Sequence, residues 1–303
     1  MSKSLCLINR SRSSSLRRLS VVLTVAMTLA TTLALTATLT LLAGCAEQPK
    51  LIPPLTGIVW QPDDATLDPR GSWQKTGATQ LLVQWLAVDG RAYAATDLMP
   101  LAPALPDWQR IAAEPWAREV ILGLAGKFDE QSARGDIAAL VATSAALAKL
   151  PTPLNVVGWY FPVEIDPTWT EAAALGPLLA QLPRPLWISV YDSANVGPDA
   201  LASGLEKWLP ADVGVFFQDG VGVYAREAKV ARRYADVLSS KLGKDRVRLI
   251  AEAFRPRQGG GFRSATIVEL SPQLTSYAGY KIYLFDGPHY LNDSLVDQIR
   301  ARQ

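Results

Sequence analysis

Eight short apolar runs recur between residues 57 and 291, and each of them ends in polar or aromatic residues. Helix-like stretches separate the runs, an alternation typical of βα units that form a parallel sheet. Eight such units predict an α/β fold, a single closed (β/α)8 TIM barrel, with its site where the strands end. The runs cover residues 57–61, 80–85, 120–128, 156–164, 186–191, 213–218, 247–252 and 281–285.

The stretches between the runs predict the crossover helices. Residues 72–76 are too few for a full helix, so we expect an abbreviated first crossover. Residues 89–106 are rich in proline and predict an irregular excursion after the second strand, on the side that builds the site. Helices are predicted over residues 106–117, 135–150, 169–182, 199–209, 225–242, 265–277 and 293–300.

The N-terminus has the features of an export signal. Basic but no acidic residues occur in the first 18 positions, and an uncharged stretch over residues 19–44 follows. It ends in Leu42-Ala43-Gly44-Cys45, which resembles a bacterial lipobox, where the cysteine receives lipid and cleavage occurs in front of it. A membrane-anchoring helix is the alternative, because the apolar stretch is nearly long enough to span a bilayer. We predict a lipoprotein signal peptide over residues 1–44.

The segment after the predicted cleavage site indicates how the mature protein is organised. Residues 45–54 are short and rich in proline, which predicts a tether between the lipid on Cys45 and a barrel domain over residues 55–303. Ala46 replaces the aspartate that often signals inner-membrane retention, so we expect a lipid anchor in the cell envelope, at the outer membrane. Cys6 leaves with the signal peptide, so the mature domain has no cysteine for a disulfide, a metal site or a nucleophile.

Charge and histidine content argue against several classes of function. The chain has 30 basic and 28 acidic residues, without a basic block interleaved with aromatic residues, so we predict no nucleic acid partner. His289 is the only histidine, which argues against a histidine-based zinc site. A Ser-His-Asp triad would also lack its GxSxG elbow. We predict no metal and no cofactor, and a surface or hydrogen-bonded role for His289.

Glu164 is the first candidate for catalysis. Pro162 cannot donate a hydrogen bond to a neighbouring strand, so it interrupts the fourth strand and places Glu164 at the strand end. The aromatic residues just before Pro162 would desolvate the carboxyl group and raise its pKa, as a general acid requires at neutral pH. A structural glutamate that accepts hydrogen bonds from backbone amides is the alternative.

Glu252 is the second candidate and ends an otherwise apolar strand, where a carboxylate is costly to bury unless it is paired. Two interpretations are open: Arg255 is its ion-pair partner, or Glu252 faces Glu164 as the nucleophile or base. Two carboxyl groups on one rim can flank a glycosidic bond. The arrangement resembles retaining TIM-barrel glycosidases, which place the acid/base after strand four and the nucleophile after strand seven, although Val163 stands where that clan usually has asparagine.

Other strand ends supply polar and aromatic side chains that suit a sugar. About half of the aromatic residues could belong to the core instead. The run from Gln218 to Gly222 is either a sugar contact or a turn, and Asp192 and Asp219 are substitute acids if either glutamate is not catalytic. The candidate substrate-binding residues are Gln61, Trp85, Trp159, Tyr160, Tyr191, Asp192, Gln218, Asp219 and Asp286.

Several of these motifs resemble, in the same order, the domain-of-unknown-function family 4434. The resemblance covers most of the mature chain and implies a glycoside-hydrolase-like TIM-barrel lipoprotein. The motifs are TGIVWQP at 56–62, LLVQW at 81–85, GWY at 158–160 with Glu164, QDGVG at 218–222 and AEAF at 251–254.

We therefore predict a membrane-tethered glycoside hydrolase that acts on a cell-envelope or exported polysaccharide, with Glu164 as the acid/base and Glu252 as the nucleophile. The alternative is a non-catalytic lipoprotein that binds a glycan or an envelope assembly partner in polysaccharide export. The predicted partners are a poly- or oligosaccharide and, through the lipid on Cys45, a membrane. Release of reducing ends would distinguish the two functions.

Overall fold

The structure is a computed structural model that describes residues Leu51–Gln303, which form one compact unit. Its centre is a closed barrel of eight parallel strands, so the predicted barrel is confirmed. The predicted signal peptide and the lipid site at Cys45 lie outside the described residues. The strands are β1 (Gly57–Trp60), β2 (Gln80–Val83), β3 (Glu119–Gly123), β4 (Val156–Ile165), β5 (Leu186–Val190), β6 (Val213–Gln218), β7 (Val247–Glu252) and β8 (Ile282–Phe285).

Each strand pairs in parallel with the next one along the chain, and β8 pairs with β1 to close the barrel. Every strand contributes one side chain to an interior layer in which Phe216 packs edge-on against the rings of Tyr160, Trp187 and Tyr283. This filled centre explains why the runs are apolar, because each strand is buried on both faces. The layer consists of Val59, Leu82, Ile121, Tyr160, Trp187, Phe216, Ile250 and Tyr283.

Nine helices in the described part of the chain surround or cap the barrel. The longest of them, Ala228–Leu242, has apolar residues at helical spacing. It ends before Gly243, which has a positive φ of 98°. None of the helices within residues 51–303 has the length and apolar character needed to cross a membrane. They are α1 (Trp108–Ala112), α2 (Glu130–Gly135), α3 (Ile137–Leu147), α4 (Leu175–Leu179), α5 (Pro198–Glu206), α6 (Ala228–Leu242), α7 (Ile267–Ser276), α8 (Gly287–Tyr290) and α9 (Asp293–Arg300).

The connections between strands differ in completeness. The first crossover is a single 3-10 turn, Trp73–Thr76, as its length predicted. Short 3-10 turns also occur at Pro115–Ala117, Ala172–Ala174 and Lys244–Arg246. The excursion after β2 is more ordered than predicted, because Ala87–Val88 pairs with Arg91–Ala92 and with Ala125–Gly126. After β7, Phe254–Pro256 and Phe262–Ser264 form a hairpin.

The end of the predicted tether belongs to the folded unit. Ile52 is buried, and its backbone N–H donates a 2.9 Å hydrogen bond to the carbonyl of Arg302. The Gln303 amide donates to the carbonyl of Pro53. Residues 52–54 therefore pack beside the C-terminal residues of the barrel domain.

Candidate active site

The mouth of the barrel is lined by the side chains above the interior layer. Because side chains alternate along a strand, residues two positions after that layer point to the same side of the strand. Glu164 lies four positions after Tyr160, and the pairing of β4 with β5 shifts register between Phe161 and Glu164, around Pro162. The other residues of the mouth layer are Gln61, Gln84, Gly123, Ser189, Gln218, Glu252 and Phe285.

Glu164 and Gln218 meet at this mouth. The Gln218 side-chain amide nitrogen, Nε2, donates one hydrogen bond of 2.7 Å to Glu164 Oε2 and another of 2.8 Å to Ser189 Oγ. Burial and the charge of Glu130 raise the pKa of Glu164 to about 7. The environment of Glu164 therefore favours the protonated form of its carboxyl group, the form that a general acid requires.

The backbone of Glu164 is held by two residues of α2. Glu130 Oε2 accepts a 3.0 Å hydrogen bond from the Glu164 N–H, and Arg134 donates two to the Glu164 carbonyl, at 3.2 and 3.3 Å. Residues 130 and 134 lie one helical turn apart, so both side chains reach the same peptide. Glu130 could not be predicted from the sequence, because only the folded barrel brings the start of α2 beside β4. Burial raises the pKa of Glu130.

Glu252 is buried, with 6% of its surface exposed. Its Oε2 accepts hydrogen bonds from the backbone amides of Gly222, at 2.6 Å, and Val223, at 3.3 Å. Burial and the charge of Asp219 nevertheless raise the pKa of Glu252 to about 8. The loop after β6 therefore fixes the position of this carboxyl group, while its environment favours the protonated form.

The ion pair considered between Glu252 and Arg255 does not form. Arg255 Nη1 donates to the backbone carbonyl of Glu252 at 3.1 Å, and Nη2 donates to Gln273 Oε1 at 2.7 Å. The hairpin that begins at Phe254 turns the guanidinium toward α7 instead of the barrel mouth. In the run from Gln218 to Gly222, Gln218 ends β6, and Gly220, with a φ of 65°, lies in the loop that follows.

Tyr191 lies within electrostatic range of both glutamates. Burial is the main reason that the pKa of the Tyr191 hydroxyl is raised. The negative charges of Glu252 and Glu164 raise this pKa further, whereas the positive charge of Arg226 lowers it. The Arg226 guanidinium lies 5.1 Å from the centre of the Tyr191 ring. Both glutamates therefore lie near the half-buried phenol of Tyr191.

Asp192 and Asp219 are not available as substitute acids. Each follows a residue of the mouth side, so alternation along the strand turns its side chain toward the surrounding helices. Asp192 Oδ2 accepts a 2.6 Å hydrogen bond from the Tyr234 hydroxyl, and Asp219 Oδ2 accepts from Gln273 Nε2, at 2.6 Å, and the Tyr277 hydroxyl, at 2.8 Å. Both are completely buried, so their predicted contact with substrate is not supported.

Asp286 also lies behind the mouth, buried at the end of β8. Its Oδ2 accepts a 3.2 Å hydrogen bond from the backbone N–H of Gln61 and lies 2.9 Å from His289 Nδ1. The other nitrogen of His289 lies 3.2 Å from Asp63 Oδ2, and both carboxylates raise the pKa of His289. The hydrogen-bonded role of His289 is confirmed. Asp286, in contrast, is buried and links the backbone of Gln61 to His289, so it is not placed to contact a sugar.

The predicted aromatic platforms lie deeper than expected. Tyr160 is completely buried in the interior layer, and Trp159 packs against the helical side of β4, five residues before Glu164. Trp85 is only 4% exposed, and its indole Nε1 donates to the carbonyl of Pro62 at 2.9 Å. The exposed ring here is Phe128, 4.9 Å from the Trp85 ring in an edge-on arrangement.

The structure therefore brings together four of the predicted residues, Glu164, Tyr191, Gln218 and Glu252. Gln61 is half-buried on the opposite side of the mouth. Among residues 51–303, no group of three or more histidine, cysteine, aspartate or glutamate side chains could hold a metal ion. The mouth presents two carboxyl groups whose pKa values are raised by burial.

No protein-family profile matches this chain. The uncharacterized protein YbcH of Escherichia coli (strain K12) is similar to it, with 27% identity over 213 residues that cover 59% of this chain and 70% of that protein. Among solved structures, the tamarind chitinase-like lectin has 12% identity and a TM-score of 0.35, over 82% of this chain and 97% of the lectin.

Proposed function

We propose that the protein is a glycoside hydrolase that acts on a cell-envelope or exported polysaccharide. The observation that carries this proposal is the pair Glu164 and Glu252, whose pKa values are raised to about 7 and about 8 at the mouth of one barrel. Cleavage of a glycosidic bond needs a protonated carboxyl group as the acid and an ionised one as the nucleophile or base, and a raised pKa keeps the acid protonated near neutral pH. Their places after strands four and seven assign Glu164 as the acid/base and Glu252 as the nucleophile or base.

The reaction requires one proton on the pair, and that proton must be on Glu164; because the pKa of Glu252 is the higher of the two, this is the minor of the two singly protonated forms. The protonated Glu164 carboxyl donates its proton to the glycosidic oxygen while the bond from that oxygen to the anomeric carbon breaks. The ionised Glu252 carboxylate then attacks the anomeric carbon or removes a proton from the attacking water. The amides of Gly222 and Val223 stabilise that ionised form, and Gln218 holds the acid in position.

A second candidate is a glycan-binding protein without catalysis. The near-complete burial of Glu252 and its two amide hydrogen bonds favour it, because both are also features of a structural carboxylate. Such a protein would bind an oligosaccharide or an envelope assembly partner but would release no reducing ends. The two candidates therefore differ in one measurable product.

The test is the release of reducing ends from a panel of bacterial and plant polysaccharides. Wild-type protein is compared with Glu164→Gln and with Glu227→Gln, an exposed glutamate on the surface that serves as the control. Hydrolysis by wild type and the control, and its loss in Glu164→Gln with binding retained, is the expected result. Hydrolysis that survives Glu164→Gln would contradict the assignment, and binding without any hydrolysis would favour the second candidate.

We propose further that Cys45 carries the lipid that tethers the barrel to the outer membrane, and that the chain is a member of the domain-of-unknown-function family 4434. The lipobox-like LAGC segment and the order of the five motifs support these two proposals. Incorporation of labelled palmitate by wild type, and its loss in Cys45→Ala, would support lipidation. Equal incorporation by the two proteins would contradict it.

A further inference from the structure

A separate cavity opens beside the ends of β1, β2 and β3. Its volume is about 530 Å³, within the range of roughly 300–1,000 Å³ of small-ligand sites. The loops after these three strands build it, so it lies at the same end of the barrel as the two glutamates. The lining residues that matter are Asp63, Asp64, Asp89, Arg91, Tyr93 and Phe128.

The charge of this cavity favours a cation. Its lining contains three carboxylates, on Asp63, Asp64 and Asp89, but one guanidinium, on Arg91. The ion pair of Arg91 with Asp64 is long, at 3.9 Å between Nη1 and Oδ2. Asp63 is paired with His289, while Asp89 makes no ion pair within residues 51–303. Negative charge therefore remains in the cavity at neutral pH, and a positively charged group on the ligand would compensate it.

Tyr93 supplies a polar group that needs a partner. The residue is 4% exposed, and its hydroxyl makes no hydrogen bond within the described part of the chain. Burial and the charges of Asp64 and Asp63 raise the pKa of this hydroxyl, so it lies close to the carboxylates that line the cavity. A tyrosine hydroxyl can both donate and accept, so in this cavity it can bind a hydroxyl or amine of a ligand.

Phe128 supplies an apolar surface on the wall of the same cavity. It is 56% exposed, although its edge-on contact with Trp85 fixes the position of the ring. An exposed and fixed aromatic ring can stack against the C–H face of a sugar, and it attracts an ammonium group through its negative face. The surface therefore suits a ring that is both hydroxylated and cationic.

We propose that this cavity is a subsite for a sugar unit with a free amino group, such as a glucosamine residue of a polysaccharide. The ammonium group binds among Asp64 and Asp89, a hydroxyl or amine pairs with Tyr93, and the C–H face of the ring packs on Phe128. The polymeric nature of the ligand rests on the proposed function. Recognition of the amino group rests on the cavity alone.

The experiment measures binding of three β-1,4-linked tetrasaccharides by calorimetry, with the Glu164→Gln variant so that nothing is hydrolysed. The three have the same rings and differ at carbon 2, which carries an ammonium, an acetamido or a hydroxyl group. We expect the glucosamine tetramer to bind at least about tenfold more tightly than the glucose tetramer, the ratio that one favourable charged contact supplies.

Variants locate the effect. The double substitution Asp64→Asn and Asp89→Asn should remove the preference for the amine, whereas Tyr93→Phe and Phe128→Ala should weaken binding of all three tetramers. The matched control is Asp199→Asn with Asp245→Asn, which removes the same charge from exposed positions outside the cavity. Circular dichroism confirms that each variant is folded.

The outcomes separate this inference from the hydrolase proposal. A tenfold preference that the cavity variants abolish and the control retains supports the subsite, even if wild type cleaves no polysaccharide. Equal affinity for the three tetramers, a preference unchanged in the cavity variants, or no binding at all overturns the subsite. Cleavage of an uncharged polysaccharide would then still support the hydrolase.

Discussion

The side-chain amide of Gln218 holds the carboxyl group of Glu164 through a 2.7 Å hydrogen bond between residues of two barrel strands that are not neighbours. The same amide nitrogen donates to Ser189 on the intervening strand β5. One planar group thus connects the ends of β4, β5 and β6. Its two N–H groups are both used, so Glu164 is held in one orientation at the mouth of the barrel.

The pH dependence of hydrolysis should be bell-shaped. The active form carries one proton on the pair, so kcat/KM should fall below about pH 7, where both Glu164 and Glu252 become protonated, and above about pH 8, where both ionise. The measurement is kcat/KM from pH 5 to pH 10. A profile with no maximum between pH 6 and pH 9 would be inconsistent with this pair.

Glu130 should act on Glu164 through its charge. Removing the charge in Glu130→Gln keeps an oxygen that can accept the Glu164 N–H but lowers the pKa of Glu164. The acid limb of the profile should therefore move to lower pH, and the rate at pH 6 relative to the maximum should rise about two- to threefold.

A structural role of Glu130 alone would give a different result, namely a lower rate with an unmoved acid limb. Glu227→Gln removes one negative charge from the surface and is the control for long-range charge effects. Equal profiles for Glu130→Gln and Glu227→Gln would count against the role assigned to Glu130.

Glu252 should lower stability as the pH rises. Burial raises its pKa from 4.5 to about 8, so the folded state binds more protons than the unfolded state between these pH values and becomes less stable as the pH rises through that window. Glu252→Gln removes the ionisation. The variant should exceed the wild type in free energy of unfolding by about 1–3 kcal/mol at pH 8, with a smaller difference at pH 5.

Denaturant unfolding of the two proteins at both pH values measures this difference. A variant that is destabilised equally at pH 5 and pH 8 would show instead that the hydrogen bonds of Glu252 outweigh the cost of its charge.

Gly222 should be required for the position of Glu252. A Cβ atom at position 222 would lie 2.6 Å from Glu252 Cβ and 2.8 Å from its Oε2, so Gly222→Ala must displace the carboxyl group or the loop. We expect kcat/KM to fall about 100-fold, since a displacement of about 1 Å has that effect at a reacting centre. Gly204→Ala is the control, because a Cβ there meets nothing within 4 Å. Similar activity of the two variants would refute the argument.

The barrel could be predicted from the sequence because its strands are buried on both faces. Such strands read as continuous apolar runs, and their polar ends marked Glu164, Gln218 and Glu252 as residues of the mouth. Pro162 added the interruption that lets Glu164 reach this mouth at a shifted register. These are local signals, each contained within one strand and its end.

To predict which side of a strand a polar residue occupies, the buried residues of that strand must first be identified. Gln218 and Asp219 are adjacent in sequence yet lie on opposite sides of β6, and alternation from the buried Phe216 would have distinguished them. The role of Glu130 had no comparable signal, because its contact with Glu164 joins residues 34 positions apart. Nothing in the sequence indicated that Trp85 is covered while Phe128 is exposed.

The crystal structure of the Glu164→Gln variant with a bound oligosaccharide tests the central claim most directly. We predict a glycosidic oxygen within about 2.6–3.2 Å of the residue 164 side chain, with the Glu252 carboxyl group on the other side of the anomeric carbon. A sugar chain that crosses the mouth with no glycosidic oxygen near residue 164, or that contacts neither glutamate, would contradict the hydrolase and leave a glycan-binding barrel.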